Sequence, residues 1–393
     1  MTLLLFACFL SQEWTQWRGP ARDGVVPVSQ VPAQWPKDLK VKWKVAAGGG
    51  YSSPVVAAGA VFVHSRRADN ETVTRYALAT GRVEWTKSYP APFQKNSYAK
   101  EMSKGPFSTP VVRDGRLFTL GVTAILSAWD AKSGALVWRK DFSSQVDTSK
   151  LFTGTSMSPL LEAGSLVVHV GDDRGSVMQS FDPATGNEKW TLKMAAGPGY
   201  ASPILVHGQI VTMTSQSLIG VDLNSGKLQW TFAWKDEWLE NAVTPLRFEN
   251  MLIFSGIRRG TLALRVGKRG PETVWTNPDA AFYLSSPVID NGRIYGLSAR
   301  KKGQYLCLEA KSGRILWATA GREAANAAVV SAGDSLVWLT NDGDLVVSKK
   351  SDKAFVQVSR YSVSDSPVWT QPVLLGNEML VKSDTALSLW SLN

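Results

Sequence analysis

Short runs of alternating apolar and polar residues, separated by turns that contain Gly and Asp, fill the chain from about residue 41 to its end and predict β-strands throughout. Many of the runs belong to one unit: a strand ending in an acid, a turn closed by Gly, and a strand with Trp eight residues after the acid. In residues 180–190, Asp182 can accept hydrogen bonds from turn amides and Gly186 can adopt a positive φ. The other clear copies are residues 128–138, 220–230 and 307–317. Four copies at one internal spacing predict a repeat protein.

A second recurring feature, a Ser-Pro or Thr-Pro pair at the start of a strand, sets the length of the repeat. Pro at the first residue of a strand costs no ladder hydrogen bond, which explains why it is tolerated there. The second position of this marker falls at Pro54, Pro110, Pro159, Pro203, Pro245, Pro287, Ala328 and Pro372. The intervals are 56, 49, 44, 42, 42, 41 and 44 residues, each long enough for four short strands.

A Trp marks the last strand of seven repeats, and Val356 takes its place in the remaining one. These residues are Trp43, Trp85, Trp138, Trp190, Trp230, Trp275 and Trp317. Trp43 lies in an alternating strand with no turn motif before it, whereas the chain ends in a third strand, residues 386–393, that has no fourth. The N-terminal strand is therefore predicted to complete the C-terminal sheet. Radial repetition of four-stranded sheets predicts an all-β, eight-bladed β-propeller.

The residues before Trp43 divide into two parts. Residues 1–12 are apolar up to Ser11 and are similar to the core of an export signal, with lipid attachment at Cys8 as an alternative. Residues 13–40, rich in Gly and Pro, are predicted to be an N-terminal extended segment, and residues 41–393 the propeller. We expect a monomer in the periplasm or cell envelope, without a transmembrane segment in its mature form.

The repeated unit resembles a known motif. The pattern Ala-x-Asp-x-x-Thr-Gly-x-x-x-Trp, matched by residues 128–138 with Ser for Thr, is similar to the tryptophan-docking motif of the PQQ-like β-propeller repeat family. Residues 17–24, Trp-Arg-Gly-Pro-Ala-Arg-Asp-Gly, resemble the start of exported bacterial proteins of this class. The resemblance implies that each Trp packs against the neighbouring blade.

Two branches of that family give two functional expectations. One is the non-catalytic outer-membrane assembly factor, which scaffolds β-barrel insertion. The other is the quinoprotein dehydrogenase, which holds pyrroloquinoline quinone (PQQ) and calcium on the propeller axis. Short blades and the lack of an adjacent Cys pair favour the first, for which no cofactor is expected.

The residues themselves predict no catalytic, cofactor-binding or metal-binding set. His64 and His169 occupy matched points of two non-adjacent blades, which is too few ligands for a metal site, and a structural function is expected for both. Asp172 and Asp173 are interpreted as acids of a solvated turn. The chain is thus expected to be non-enzymatic, with a PQQ-dependent oxidoreductase and a carbohydrate-binding propeller as the alternatives.

The charge balance points to acidic partners. Lys and Arg number 43 against 33 Asp and Glu, a net charge of +10, which favours anionic lipid, glycan or a negatively charged protein surface. The basic pairs are scattered along the chain, so no nucleic-acid partner is expected. A protein partner in the cell envelope is the leading expectation.

Two sets of aromatic residues are the candidates for binding that partner. Tyr51, Phe107 and Tyr200 precede a marker Pro by three residues and Tyr283 by four, which places them near the channel mouth. They form a platform for a glycan or peptide, or else pack between blades. The loop 234–241, with Trp234 and Trp238 among mixed charges, forms a protein contact or else folds over its own blade.

Overall fold

The computed structural model of the chain describes residues 13–26, 31–32 and 34–393. Within these residues the chain forms β-strands, three short 3-10 turns (Ser97–Ala99, Thr148–Lys150 and Arg300–Lys302) and no α-helix. The strands form eight sheets of four strands, one of which carries a fifth strand. The sheets are the blades of a ring, so the prediction of an all-β, eight-bladed β-propeller is confirmed.

Two strands, β1 (Val25–Val26) and β2 (Lys40–Ala46), precede the blades. Blades 1 to 4, each from its inner to its outer strand, are β3 (Val55–Ala57), β4 (Ala60–Arg67), β5 (Asn70–Ala77), β6 (Val83–Pro90); β7 (Val111–Arg113), β8 (Arg116–Leu120), β9 (Ile125–Asp130), β10 (Leu136–Asp141); β11 (Leu160–Glu162), β12 (Ser165–Asp172), β13 (Gly175–Phe181), β14 (Glu188–Met194); and β15 (Ile204–Val206), β16 (Gln209–Met213), β17 (Ser217–Asp222), β18 (Leu228–Ala233). Blades 5 to 8 are β19 (Leu246–Phe248), β20 (Met251–Gly256), β21 (Gly260–Gly267), β22 (Gly270–Asn277); β23 (Val288–Asp290), β24 (Arg293–Ser298), β25 (Gln304–Glu309), β26 (Ile315–Ala318); β27 (Ala327–Ala332), β28 (Ser335–Thr340), β29 (Asp344–Lys349), β30 (Gln357–Ser362); and β31 (Val373–Leu375), β32 (Glu378–Lys382), β33 (Ala386–Ser391), with β2 as the fourth strand.

The ring closes by pairing a strand that precedes blade 1 with the last strand of blade 8, as predicted. Strand β2 pairs antiparallel with β33, from Lys40 opposite Ser391 to Ala46 opposite Ala386. Blade 8 therefore has four strands, as the other blades do, with β2 as its outer strand. The predicted export signal, residues 1–12, lies outside the described residues. Among those described, no helix is long and apolar enough to cross a membrane.

The two faces of the ring differ in what they carry. One face carries the turns between the first two strands of each blade, which hold at least one residue at positive φ; in blade 2, for example, Asp114 (51°) and Gly115 (71°) both adopt it. Such turns match the twist of the strands they join. We call this the hairpin face. On the opposite side, the crossover face, each outer strand leads to the marker of the next blade.

The marker hydroxyls link neighbouring blades around the axis. In five places the Ser or Thr side chain accepts a hydrogen bond from a backbone N–H of the preceding blade's marker. These bonds run from Gln371 to Ser53 (2.9 Å), Ser53 to Thr109 (3.2 Å), Thr109 to Ser158 (3.0 Å), Ser158 to Ser202 (3.0 Å) and Thr244 to Ser286 (3.1 Å). The recurrence of Ser and Thr before the marker Pro thus has a structural cause that the sequence interpretation missed.

The Trp side chains make contacts between blades at their outer edge. In six blades the indole N–H donates to a backbone carbonyl of the next blade: Trp43 to Leu78 (2.8 Å), Trp85 to Lys132 (3.1 Å), Trp138 to Pro183 (3.1 Å), Trp190 to Leu223 (2.9 Å), Trp275 to Ala310 (3.1 Å) and Trp317 to Ser351 (2.8 Å). Trp230 instead donates to Oε1 of Gln209 in its own blade (2.8 Å). Neighbouring blades are thus linked twice, by the marker hydroxyls near the axis and by the Trp side chains at the outer edge.

Candidate functional site: the filled channel and the groove beside it

The central channel is filled by the chain's own residues 14–26. Trp14 pairs with Val56 in the inner strand of blade 1 through two backbone hydrogen bonds of 2.9 and 2.8 Å. The carbonyl of Thr15 accepts from the N–H of Val112 in blade 2 (2.9 Å). Strand β1 then pairs in parallel with β27 of blade 7 as the fifth strand of that sheet. We call residues 14–26 the plug.

Two buried arginines join the plug to marker carbonyls of blades 3, 4 and 6. The Arg22 guanidinium donates to the marker carbonyls of Pro159 (2.9 Å) and Pro203 (3.0 Å), in blades 3 and 4. Arg18 Nη2 donates to the carbonyl of Pro287 in blade 6 (2.5 Å) and to that of Asp23 (2.8 Å). Hydrogen bonds from a charged donor are stronger than neutral ones. Arg22 therefore joins two neighbouring blades through the plug, and Arg18 joins the plug to a third.

Burial shifts the pKa of both arginines but leaves them charged near neutral pH. Desolvation lowers the pKa of Arg18 to about 10 and that of Arg22 to about 9. Both residues also adopt a positive φ, 60° and 58°, which costs an L-residue roughly 1–2 kcal/mol. The contacts of the plug with the blades offset this cost.

The plug reaches both mouths of the channel. At the crossover face the indole N–H of Trp17 donates to Oγ1 of Thr244 in blade 5 (3.1 Å). At the hairpin face Pro20 and Asp23 line a cavity of about 610 Å³. The plug thus contacts the inner residues of blades 1 to 7.

Three of the predicted rim aromatics come together over Trp17. Tyr51 and Phe107 meet edge to face with ring centroids 5.6 Å apart, and Tyr51 stacks on Trp369 at 5.5 Å. Tyr200 lines the same cavity, which has a volume of about 120 Å³. That is below the roughly 300–1,000 Å³ usual for small-molecule sites. The side chain of Tyr51 is buried, so packing between blades accounts for that residue.

A larger cavity of about 750 Å³ lies beside this mouth on the crossover face. We call it the crossover groove; its walls include Tyr98, Phe152, Asp173, Tyr200, Trp238 and Tyr283. The ring of Trp238 meets that of Tyr283 edge to face, with centroids 6.0 Å apart. The structure therefore brings Tyr200, Tyr283 and Trp238 together, although they follow different blades in sequence.

A carboxyl group closes one wall of the crossover groove. Glu240 accepts a hydrogen bond from the phenol O–H of Tyr283. Burial raises the pKa of Glu240, and burial together with this carboxylate raises the pKa of Tyr283 above its ordinary value. The pair holds the Tyr283 ring in place under Trp238.

Of the two alternatives for the loop 234–241, folding back onto the propeller holds for Trp234. Its side chain is 2% exposed and packs edge to face on Phe254 at 4.8 Å, with the guanidinium of Arg259 4.3 Å from its ring. Trp238, four residues later, is 45% exposed. The loop 234–241 therefore folds one Trp over the blade and leaves the other at the groove. Whether the loop binds a partner stays a prediction.

The interpretation of Asp172 as a solvated turn residue is wrong. Asp172 is buried, and it accepts hydrogen bonds from Arg174 Nε (3.1 Å) and from the backbone N–H of Asp147 (3.0 Å). The Arg174 guanidinium, more than any other group, lowers the pKa of Asp172 to about 2. Its neighbour Asp173 is exposed and remains available in the groove.

The two buried histidines sit in separate polar clusters between strands. His64 Nε2 lies 3.2 Å from a carboxylate oxygen of Glu71, which also accepts from Tyr89 (2.6 Å). His169 Nε2 lies 2.8 Å from the hydroxyl of Ser176. Within the described ranges no three His, Cys, Asp or Glu side chains are grouped as ligands of one metal ion.

The residues at the mouth of the channel on the crossover face do not fit a quinone held by calcium. Calcium takes six to eight oxygen ligands, carboxylates prominent among them. The cavity over Trp17 is lined by aromatic rings, Ser and Thr hydroxyls and apolar side chains, with no carboxylate. Its volume of about 120 Å³ is also small for a flat polycyclic cofactor. The expectation of no cofactor stays a prediction for titration to test.

The sequence interpretation missed Arg18 and Arg22 as functional residues of the channel. Two arginines within a segment that has several Gly and Pro residues and no strand periodicity were the available signal. Such a segment next to a closed ring has few places to bury its Trp side chains other than the axis.

The sequence of the chain is similar to those of known outer membrane assembly factors. A family profile described as outer membrane protein assembly factor BamB matches residues 93–319 and 215–393. The protein of that name from Shewanella oneidensis is 25% identical over 227 residues, 53% of this chain and 55% of the relative. The matched part of the chain thus spans about half of that relative's length.

Solved structures show the same fold. The crystal structure of BamB from Moraxella catarrhalis has a TM-score of 0.65 at 14% identity, covering 90% of this chain and 99% of that one. A europium-containing methanol dehydrogenase has a TM-score of 0.74 at 12% identity, covering 97% and 98%. At these identities the likeness is one of fold alone. Since the family profile matches more than half of its residues, the chain belongs to the PQQ-like β-propeller family described as outer membrane protein assembly factor BamB.

Proposed function

We propose that the chain is a non-enzymatic scaffold of the cell envelope that binds a protein partner through its crossover face. The observation that carries the proposal is the plug. Arg18, Arg22 and Trp17 occupy the axis, where a propeller would otherwise hold a small ligand. Binding is therefore left to the surface, where the crossover groove offers a cavity of about 750 Å³.

Membership of the BamB family supports a place in the cell envelope. The relative from Shewanella oneidensis is named as an assembly factor for outer membrane proteins. A scaffold of that kind recognises other polypeptides and performs no chemistry on them. Partly exposed Trp is typical of the residues that dominate protein–protein binding, and Trp238 is such a residue at the groove.

The test is affinity capture from the native cell envelope. The full chain with a C-terminal tag is expressed in its source organism, cross-linked briefly with formaldehyde, and purified with its envelope partners, which are identified by mass spectrometry. We expect Trp238→Ala to lower the recovery of a specific envelope protein about five- to tenfold, because loss of an anchoring Trp costs more than ~1 kcal/mol.

A matched control separates the groove from general surface effects. Leu136 is 49% exposed on β10, outside the groove, so Leu136→Ala removes exposed apolar surface elsewhere. It should leave recovery unchanged. Equal recovery with Trp238→Ala and wild type would remove the crossover groove from the proposal, and wild-type chain that retains no envelope protein would overturn it.

A further inference from the structure

We propose that the crossover groove binds an extended, cationic segment of the partner, in which Lys or Arg side chains enter the groove. This inference rests on the proposed function and names the chemistry of the contact. It is carried by three properties of the groove: its aromatic walls, the sign of its charges and its volume.

The aromatic walls are unusual for the surface of this chain. Tyr98 and Trp238, at 88% and 45%, are the two most exposed aromatic side chains of the described residues, and both line the groove. Aromatic faces bind cations through their negative π-clouds. The guanidinium of Arg258 already lies 5.0 Å from the Trp238 ring, which shows that this ring accepts a cation on one side.

The charges of the groove are opposite to those of the whole chain. Its lining holds three carboxylates, Asp172, Asp173 and Glu240, against one cation, Lys150. Asp172 is neutralised by Arg174, which leaves Asp173 and Glu240 against Lys150, an excess of one negative charge. On a chain with a net charge of +10, a cationic segment is repelled by most of the surface and attracted here.

The dimensions favour side chains of an extended peptide. A volume of about 750 Å³ accepts a few side chains and is too small for a folded element. Lys and Arg can lay their apolar stems on Tyr98 and Trp238 while their charges reach the carboxylates. A neutral glycan would stack on the same rings but would leave the charges of Asp173 and Glu240 uncompensated.

The experiment measures binding of defined probes to the purified full chain. The probes are a fluorescein-labelled hexapeptide of alternating Lys and Ala, the same peptide with Glu in place of Lys, and maltohexaose, followed by fluorescence anisotropy or calorimetry. We expect the Lys peptide to bind saturably, the Glu peptide not to bind, and the affinity to fall as salt is raised.

Variants assign the binding to the groove. Asp173→Asn and Trp238→Ala should each weaken the Lys peptide about tenfold. Asp279→Asn, a change of an exposed acid outside the groove on the same face, should have no effect. Asp173→Asn is isosteric and exposed, so it tests the charge even if Trp238→Ala perturbs folding; circular dichroism of each variant checks this.

The outcomes distinguish the inference from the proposed function. No binding of the Lys peptide, binding unaffected by Asp173→Asn, or preference for maltohexaose would overturn the inference. If the wild-type chain still captures envelope partners and the Trp238→Ala variant does not, the proposed function stands without the inference. If the peptide binds in the groove but no envelope protein is captured, the proposed function fails alone.

Discussion

At the scale of single residues, His169 shows how burial decides a chemical state. Its ring is buried in β12, and the hydroxyl of Ser176, 2.8 Å away, donates its own proton to the carbonyl of Ala196 (2.7 Å). His169 Nε2 must therefore carry a hydrogen and donate to that hydroxyl. Burial lowers the pKa of His169 to about 4.

A loss of stability on mild acidification follows from this shift. Between about pH 6.5 and 4 the unfolded chain binds a proton at residue 169 that the folded chain does not. The free energy of unfolding therefore decreases as the pH is lowered through this range. The contribution is about 3 kcal/mol. His169→Gln, which keeps a donor at the same place, should remove this part of the pH dependence in urea unfolding. His207→Gln, at an exposed position, is the control; equal pH dependence of His169→Gln and wild type would contradict the assignment.

The sequence could not separate Trp234 from Trp238. Both lie in one charged loop, and local composition treats them alike. Trp234 differs from Trp238 because it packs on Phe254 of blade 5, a contact that no sequence pattern within the loop indicates. By contrast, the structural interpretation of His64 and His169 needed only their matched positions, and both are buried in hydrogen-bonded clusters. The repeat pattern thus carries information on the surroundings of these two residues that local composition does not carry for Trp234 and Trp238.

At the scale of the element, the Gly of the repeated turn has two separate functions. Its positive φ closes the turn, and its missing side chain makes room for the Trp of the preceding blade. At Gly186, φ is 73° and an added Cβ would lie 2.7 Å from Cδ2 of Trp138. At Gly164, in an inner hairpin, φ is 68° and an added Cβ would meet nothing within 4 Å.

This pair of glycines allows the contact between blades to be measured. Gly186→Ala and Gly164→Ala share the cost of placing an L-residue at positive φ, roughly 1–2 kcal/mol. Gly186→Ala additionally forces Trp138 away from its place, which costs about 1–3 kcal/mol more. We expect the urea midpoint to fall further for Gly186→Ala. Equal midpoints would show that the stacking of Trp138 on the turn contributes nothing.

The elements themselves were largely predictable because the repeat averages over many copies. Eight markers and seven Trp residues fixed the blade count, and the incomplete first and last sheets fixed the closing pair β2 and β33. The parallel strand β1 was not predictable, because two residues carry no periodicity and their partner β27 is about 300 residues away in sequence.

At the scale of the whole molecule, the plug connects the inner residues of blades that do not contact each other directly. Arg22 alone contacts the markers of two blades, and the plug as a whole reaches seven. Chain entropy opposes such long-range contacts, and the hydrogen bonds of the Arg22 guanidinium to the buried carbonyls of Pro159 and Pro203 offset that cost. The plug thereby occupies the channel and links the inner strands around it.

Removal of one guanidinium should therefore destabilise the whole ring. Arg22→Met leaves the buried carbonyls of Pro159 and Pro203 without their donor, at about 1–3 kcal/mol each. We expect the free energy of unfolding to fall by about 2–4 kcal/mol in urea titration. Arg247→Met, at an exposed position, should change it little. An unchanged midpoint for Arg22→Met would mean that the plug is not part of the folded ring.

The central claim, that this propeller acts through its surface and not through a ligand on its axis, is tested most directly by titration with PQQ and calcium. Purified full-length chain is titrated by calorimetry, and dye-linked oxidation of primary alcohols is followed in parallel. The filled channel and the lack of carboxylates at its mouth on the crossover face predict no saturable binding and no alcohol-dependent dye reduction. Saturable binding near one cofactor per chain, with turnover, would contradict the account.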